Sequence, residues 1–346
     1  VRRINIAGAL SVVAYLALEV FNPSPILDYS GEMIEASRTM AGAVTAIGIH
    51  LEAEGVEIDG ETDPNRTGLI GPGLTGLMTS VGDLEAKRTT TNPDVSALLV
   101  HLLHQAGIAG GDTIAVGCSA SFPALLVAVL SAAEAMEVHP VVIISLGASS
   151  HGATAVDFNL LDIYRVLLEK EILKARPAAV SLGGGRDVGE EYDPGLKERL
   201  IRQIESIGIP FIHQPDLRSN VAHRMGIYGM RSSGGRAVSA FVNVGGGYAN
   251  MGTSQLALDL SPGINRRISM PVERERGVVH AMAAGGVPVI HLLHIRGLAS
   301  AYGLPWDPVP LPAPGETVLI EPRWRKSFPF WSIAGLYLAV MILLMV

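Results

Sequence analysis

Short, nearly continuous apolar runs recur along the chain at 112–117 (DTIAVG), 140–147 (PVVIISLG), 178–183 (AAVSLG) and 240–245 (AFVNVG). A fifth, 287–291 (VPVIH), lacks the terminal glycine. Runs of this length without polar alternation are expected of strands buried on both faces. Helix-length segments separate them, at 123–136, 160–174, 194–207, near 217–228, and around 278–284, with a short strand at 210–213. The alternation predicts an α/β fold with a mostly parallel, Rossmann-like sheet carrying helices on both faces. Ligands of such sheets bind outside the strand carboxyl ends. Here those ends are crowded with small and polar residues, at 118–121 (CSAS), 148–152 (ASSHG), 184–187 (GGRD) and 246–250 (GGYAN).

Upstream of the first run, 29–54 has helical spacing and is expected to pack on the sheet as one or two helices. Residues 61–76 are turn-rich, and 80–93 form a polar segment ending in Asn92-Pro93, a helix start that runs to about His104. After the last run, 304–314 (LPWDPVPLPAP) is too proline-dense for a central strand and is expected to cross the surface in extended form, before a short strand at 317–320.

The ends are more apolar. Residues 327–346 carry no charge for twenty positions, and 6–18 are apolar between Arg2-Arg3 and Glu19. Both are expected as membrane helices, the first an uncleaved anchor. The expected organisation is therefore an anchor over 1–22, a helical and loop region over 23–110, an α/β domain over 111–326, and a transmembrane helix over 327–346. Arg2-Arg3 favours a cytoplasmic amino terminus and an extracytoplasmic domain at a bacterial cell membrane, whereas Arg323, Arg325 and Lys326 pull the other way.

A net charge of -7, with 5% aromatic residues, excludes an extended nucleic-acid surface. A single cysteine, Cys118, excludes an internal disulfide. No Walker-type sequence and no Gly-x-Gly-x-x-Gly at a strand exit points to a nucleotide, and no cofactor is expected. His-Leu-Leu-His occurs at 101–104 and 291–294, but without supporting ligands these histidines are expected to be partly buried rather than metal-binding.

Gly117-Cys118-Ser119-Ala120-Ser121 resembles a nucleophile elbow in which Ser119 would attack, with His151 as base and Asp157 or Asp162 as the orienting acid. Its second glycine is replaced by Ser121, which favours a non-covalent anion cradle at a helix start. Lys87 and Arg88 are candidate anion clamps, with Glu85 and Thr89 beside them. Gly184 and Gly246 allow a ligand to approach backbone amides, and Asn243 and Arg296 lie at or just past strand ends.

Together the segments 84–93 (LEAKRTTTNP), 121–124 (SFPA), 181–185 (SLGGG), 241–247 (FVNVGGG) and 286–308 (GVPVIHLLHIRGLASAYGLPWDP) resemble the poly-gamma-glutamate system protein family. The resemblance spans nearly the whole chain between the apolar ends. It implies a membrane-associated accessory protein working beside the ligase and export components that make the γ-linked glutamate polymer. It carries no catalytic residues with it. The expected function is binding of a carboxylate-bearing ligand, such as a glutamyl chain end, by Glu85, Lys87, Arg88, Thr89, Ser121, Gly184, Asn243, Gly246 and Arg296. A serine amidase or transpeptidase using Ser119, and a non-catalytic assembly partner of the synthase, are the alternatives.

Overall fold

A computed structural model describes residues 2–21, 27–230, 238–316 and 328–345. The expected strand at 317–320 lies outside the described residues. The chain forms two compact units, Gly31–Val318, and a smaller one made of Val1–Ser30 with Leu319–Val346.

The smaller unit pairs α1 (Arg2–Phe21) with α12 (Phe328–Met345), joined by a 2.8 Å hydrogen bond between Ser11 Oγ and Tyr337 Oη. These helices correct the expectation of membrane spans, because no helix among the described residues is long and apolar enough to cross a bilayer. The 20 residues of α1 include Arg2, Arg3 and Glu19. The 18 residues of α12 rise only about 27 Å, against a hydrocarbon core of about 30 Å.

The larger unit is built on a seven-stranded sheet of order β6-β5-β3-β2-β7-β9-β8. Its strands are β2 (Thr113–Ser119), β3 (His139–Ser145), β5 (Ala179–Ser181), β6 (Phe211–Ile212), β7 (Ala240–Val244), β8 (Gly263–Asn265) and β9 (Val289–Leu292). The sheet is mixed rather than wholly parallel, since β8 runs antiparallel along β9. The connections between parallel strands are supplied by helices, among them α5 (Pro123–Ala135), α6 (Leu160–Glu169), α7 (Pro194–Ser206) and α10 (Val278–Ala284). Residues 30–53 form one helix, α2, whose side facing the core buries Met33, Met40 and Ile47. The expected start at Asn92 falls close to the observed α4 (Asp94–Ala106), where Asn92 Oδ1 accepts the Asp94 N–H at 3.0 Å.

Strand periodicity explains what each face buries. Ala115, Val141, Ile143, Ala179, Phe241 and Val289 share one face and form a core with α8 (Leu217–Met230), α10 and the short α9 (Tyr248–Met251). The intervening Ile114, Val116, Val142, Ile144, Val180 and Ile290 are buried on the other. Toward the carboxyl ends, the first face turns polar. Ser119, Ser145 and Ser181 align across β2, β3 and β5, while Gly117, Asn243 and His291 align across β2, β7 and β9.

That polar end is closed by a fully buried ion pair. Arg224 of α8 donates through Nη2 to Asp187 Oδ2 at 2.6 Å, and both side chains are 0% exposed. Asp187 Oδ1 accepts from Ser145 and Ser181, and Oδ2 also accepts from Asn220 at 2.9 Å. Arg224 further reaches the Ser145 and Ser181 hydroxyls, and its Nε donates to Asn220. A buried pair of this kind tolerates loss of neither partner, because the survivor is left charged and desolvated. Asp187→Asn keeps a residue suited to the observed φ of 65°, removes the charge and turns one accepting oxygen into a donor. We expect it to destabilise the unit by about 3–5 kcal/mol, read from the shift in its urea unfolding midpoint.

Candidate functional site

The strand exits open into a crevice of about 630 Å³, within the usual range for small-molecule sites. The sheet places it at a switch in strand order: from β2, the chain proceeds to β3, β5 and β6 on one side and to β7 and β9 on the other. One wall is formed by Gly147 and 183–185, the other by Gly246, Gly247 and Tyr248, with Ser119, Ser121, Ser145 and Ser149 between.

Two glycines are required for that shape. A Cβ on Gly183, whose φ is 71°, would lie 2.3 Å from the Gly147 backbone nitrogen, so the exits of β3 and β5 approach too closely for any side chain. Gly245 has φ of 78°, and a Cβ there would lie 2.4 Å from Ser119 Oγ. Both backbones are in the left-handed region that glycine adopts without strain.

Over the crevice lies a layer absent from the strand pattern. The short strand β1 (Met78–Ser80) pairs in parallel with β4 (Ala148–Ser149), and α3 (Leu84–Thr89) follows it. Asp83 caps α3 by accepting the Glu85 and Ala86 N–H groups. α3 delivers Lys87 into the crevice wall with only 2% exposure. Lys87 Nζ lies 2.6 Å from Ser149 Oγ, is hydrogen bonded to the Ser121 carbonyl, and sits 3.7 Å above the centre of the Phe122 ring. Ser121 Oγ in turn accepts the Ser149 N–H at 3.0 Å. No carboxylate is within ion-pairing distance of Lys87 among the described residues, and burial pulls its pKa down to about 7 despite the opposing effect of Asp83.

The other sequence candidates separate into crevice and scaffold. Ser119, Ser121, Gly184, Gly246 and Arg296 line the crevice with Lys87. Arg296 stands at the mouth, 4.1 Å from the Trp306 ring centre and 3.4 Å from Glu85, to which Trp306 Nε1 also donates at 2.7 Å. Glu85, Arg88 and Thr89 instead fasten the proline-rich segment. Arg88 grips Asp307 with Nε and Nη2, an interaction that raises its pKa, and Thr89 Oγ1 accepts the Asp307 N–H at 2.9 Å. Asn243 is buried beneath the Gly245 exit, donating to the Gly245 carbonyl at 2.9 Å and to His291 Nδ1 at 3.0 Å. That contact needs His291 neutral, and burial, with His294 nearby, lowers its pKa to about 4.

The Ser119 triad is not assembled. Ser119 Oγ is buried without a hydrogen-bond partner. His151 Nδ1 lies 3.3 Å from the Gly71 carbonyl, Asp157 is paired with Arg199 at the surface, and Asp162 caps α6 through the Asn159 N–H. Ser149, Trp306 and the Asp187–Arg224 cluster are absent from the sequence candidates. Ser149 and Asp187 had a local signal, as parts of the polar exits at 148–152 and 184–187. No three potential metal ligands cluster among the described residues. Comparison of the chain with protein-family models, with curated proteins and with solved structures finds no match.

The burial of Lys87 has a measurable linkage. In the unfolded chain its amine keeps a proton up to about pH 10.5, whereas the folded state loses it near 7, so this group makes stability rise with pH between those values. From pH 7.5 to 9.5 the expected rise is about 2–3 kcal/mol. Urea unfolding of Lys87→Met should lack that increment, so the difference between the two proteins narrows at low pH or reverses in favour of the variant.

Proposed function

We propose that the crevice holds a chain end of γ-linked glutamate, and that the protein serves the synthesis or export of such a polymer beside its ligase and export components. One observation carries the reading: the crevice presents hydrogen-bond donors, while its own carboxylates are already committed. Asp83 is spent on the start of α3, and Glu191 accepts the Gly185 N–H through both oxygens at 2.9 Å. What faces a ligand is the Arg296 guanidinium, the unpartnered Ser119 hydroxyl, the Lys87 amine and glycine backbone. An unmet buried hydroxyl costs about 1–3 kcal/mol, a cost that a ligand oxygen removes.

The charge balance favours a chain end over a long stretch of polymer. A chain with net charge of -7 repels an extended polyanion, and a cation at the mouth of the crevice acts locally. Reading that polymer as γ-linked glutamate rests on the long segments that resemble the poly-gamma-glutamate system protein family. The same segments contribute Lys87, Ser121, Gly184, Gly246, Arg296 and Trp306 to the crevice.

Calorimetry with a γ-linked glutamyl tetramer tests this. Arg296→Met should weaken binding about tenfold or more, as expected for a lost charge-assisted hydrogen bond. The same tetramer with its carboxylates converted to primary amides should bind poorly. Equal binding of the acid and amide forms would sink the proposal.

A further inference from the structure

The geometry points to Ser149 and Lys87 as a nucleophile and general base that together transfer acyl groups from an amide-linked substrate in the crevice. A base must stand about 2.6–3.2 Å from the proton it takes, and Lys87 Nζ lies 2.6 Å from Ser149 Oγ. Serine–lysine pairs are an established variant of serine catalysis on unrelated folds. Both residues line the crevice, so a substrate carbonyl held there meets the pair directly.

The surroundings suit an amine that works unprotonated. A neutral amine has one lone pair and two N–H bonds. The Ser121 carbonyl accepts one N–H, which leaves the lone pair for the Ser149 hydroxyl proton. The face of Phe122, 3.7 Å from Nζ, helps to exclude water. A carboxylate beside Nζ would hold the proton on the amine, and none is within ion-pairing distance among the described residues. At a pKa of about 7, Lys87 is extensively neutral at physiological pH. The nucleophile is also fixed, because the Ser149 N–H is bonded to Ser121 Oγ and β4 is paired with β1. Ser121 therefore positions both partners. Ser119 has none of this support, since its hydroxyl lacks any base.

The step balances without a cofactor. Lys87 Nζ takes the Ser149 Oγ proton as Oγ bonds to the carbonyl carbon. The amide C–N bond then breaks as Nζ gives that proton to the leaving nitrogen, and an ester remains on Ser149. Water, or the amine of another chain, attacks the ester carbonyl while Nζ takes its proton. Oγ leaves with that proton, giving hydrolysis or chain transfer. Assigning a γ-glutamyl amide as the substrate rests on the function proposed above, but the pair itself does not.

The test is covalent labelling of the full chain with a fluorophosphonate probe, with the site mapped by mass spectrometry between pH 6 and 8.5. Label should fall on Ser149, disappear in Ser149→Ala, and slow about 100-fold or more in Lys87→Met, the usual scale for loss of a general base. The wild-type rate should rise with pH as Lys87 loses its proton, a readout that does not depend on how the variants fold. Absence of label, label on Ser119, or a rate that does not rise with pH overturns the assignment. Glutamyl-tetramer calorimetry on Ser149→Ala separates the two proposals. Binding with no wild-type label leaves the crevice reading standing and removes the dyad. Label on Ser149 in a protein that ignores the tetramer keeps the dyad and removes the glutamyl substrate.

Discussion

The buried Asp187–Arg224 pair is the constraint on which the upper part of the sheet depends. Desolvating two charges is tolerable only where their hydrogen bonds are met by well-placed partners. Here the partners are the last residues of two strands, Ser145 and Ser181, and a residue one helical turn from Arg224, Asn220, which leave only Arg224 Nη1 without a partner within the pair. Meeting them fixes the exits of β3 and β5 against each other and holds α8 against both. The contact between Gly147 and Gly183 follows, and so does the glycine wall of the crevice. The polar floor is thus held by charge, while the rest of that sheet face is held by apolar packing.

Above this floor, the site has a gradient of solvation that sorts its cations by role. Arg296 is 62% exposed and stacked on Trp306, where a guanidinium keeps its charge and stays hydrated. Lys87 is buried among hydroxyls, a carbonyl and an aromatic face, where the neutral amine gains ground. The mouth is therefore suited to recognising a carboxylate, and the interior to moving a proton. Two elements supply these environments: Lys87 comes from α3 and Arg296 from α11 (Ile295–Tyr302), which follows β9.

Much of the scaffold was legible in the sequence, because strand burial leaves long apolar runs and close backbone approaches demand glycine. The runs ending at Gly117, Gly147, Gly183 and Gly245 all end at the carboxyl edge of one sheet. The chemistry was less legible. Lys87, Arg88 and Glu85 are neighbours in one polar stretch, yet α3 turns Lys87 into the crevice while Arg88 faces Asp307. Helical phase alone decides that, and it cannot be read where the helix is only six residues long and lies inside a polar segment. Ser149 acquires its setting from a two-residue strand, and Asp187, Asn220 and Arg224 meet only through the fold. The apolar ends misled for a simpler reason: hydropathy records what a segment would bury, whereas crossing a bilayer also demands uninterrupted length.

The grip of Arg88 on Asp307 joins residues 219 positions apart within the larger unit. Closing so long a stretch costs entropy that grows with its length and is recovered only once both ends have docked. During synthesis the sheet can gather strand by strand and Lys87 can reach Ser121 and Ser149, but Glu85, Arg88 and Thr89 lack Trp306 and Asp307 until the proline-rich segment has left the ribosome. Only the Trp306 side of the crevice waits for that segment. A chain cut short before residue 304 would retain every strand of the sheet and Arg296, and still lack the Trp306 ring against which that guanidinium stacks.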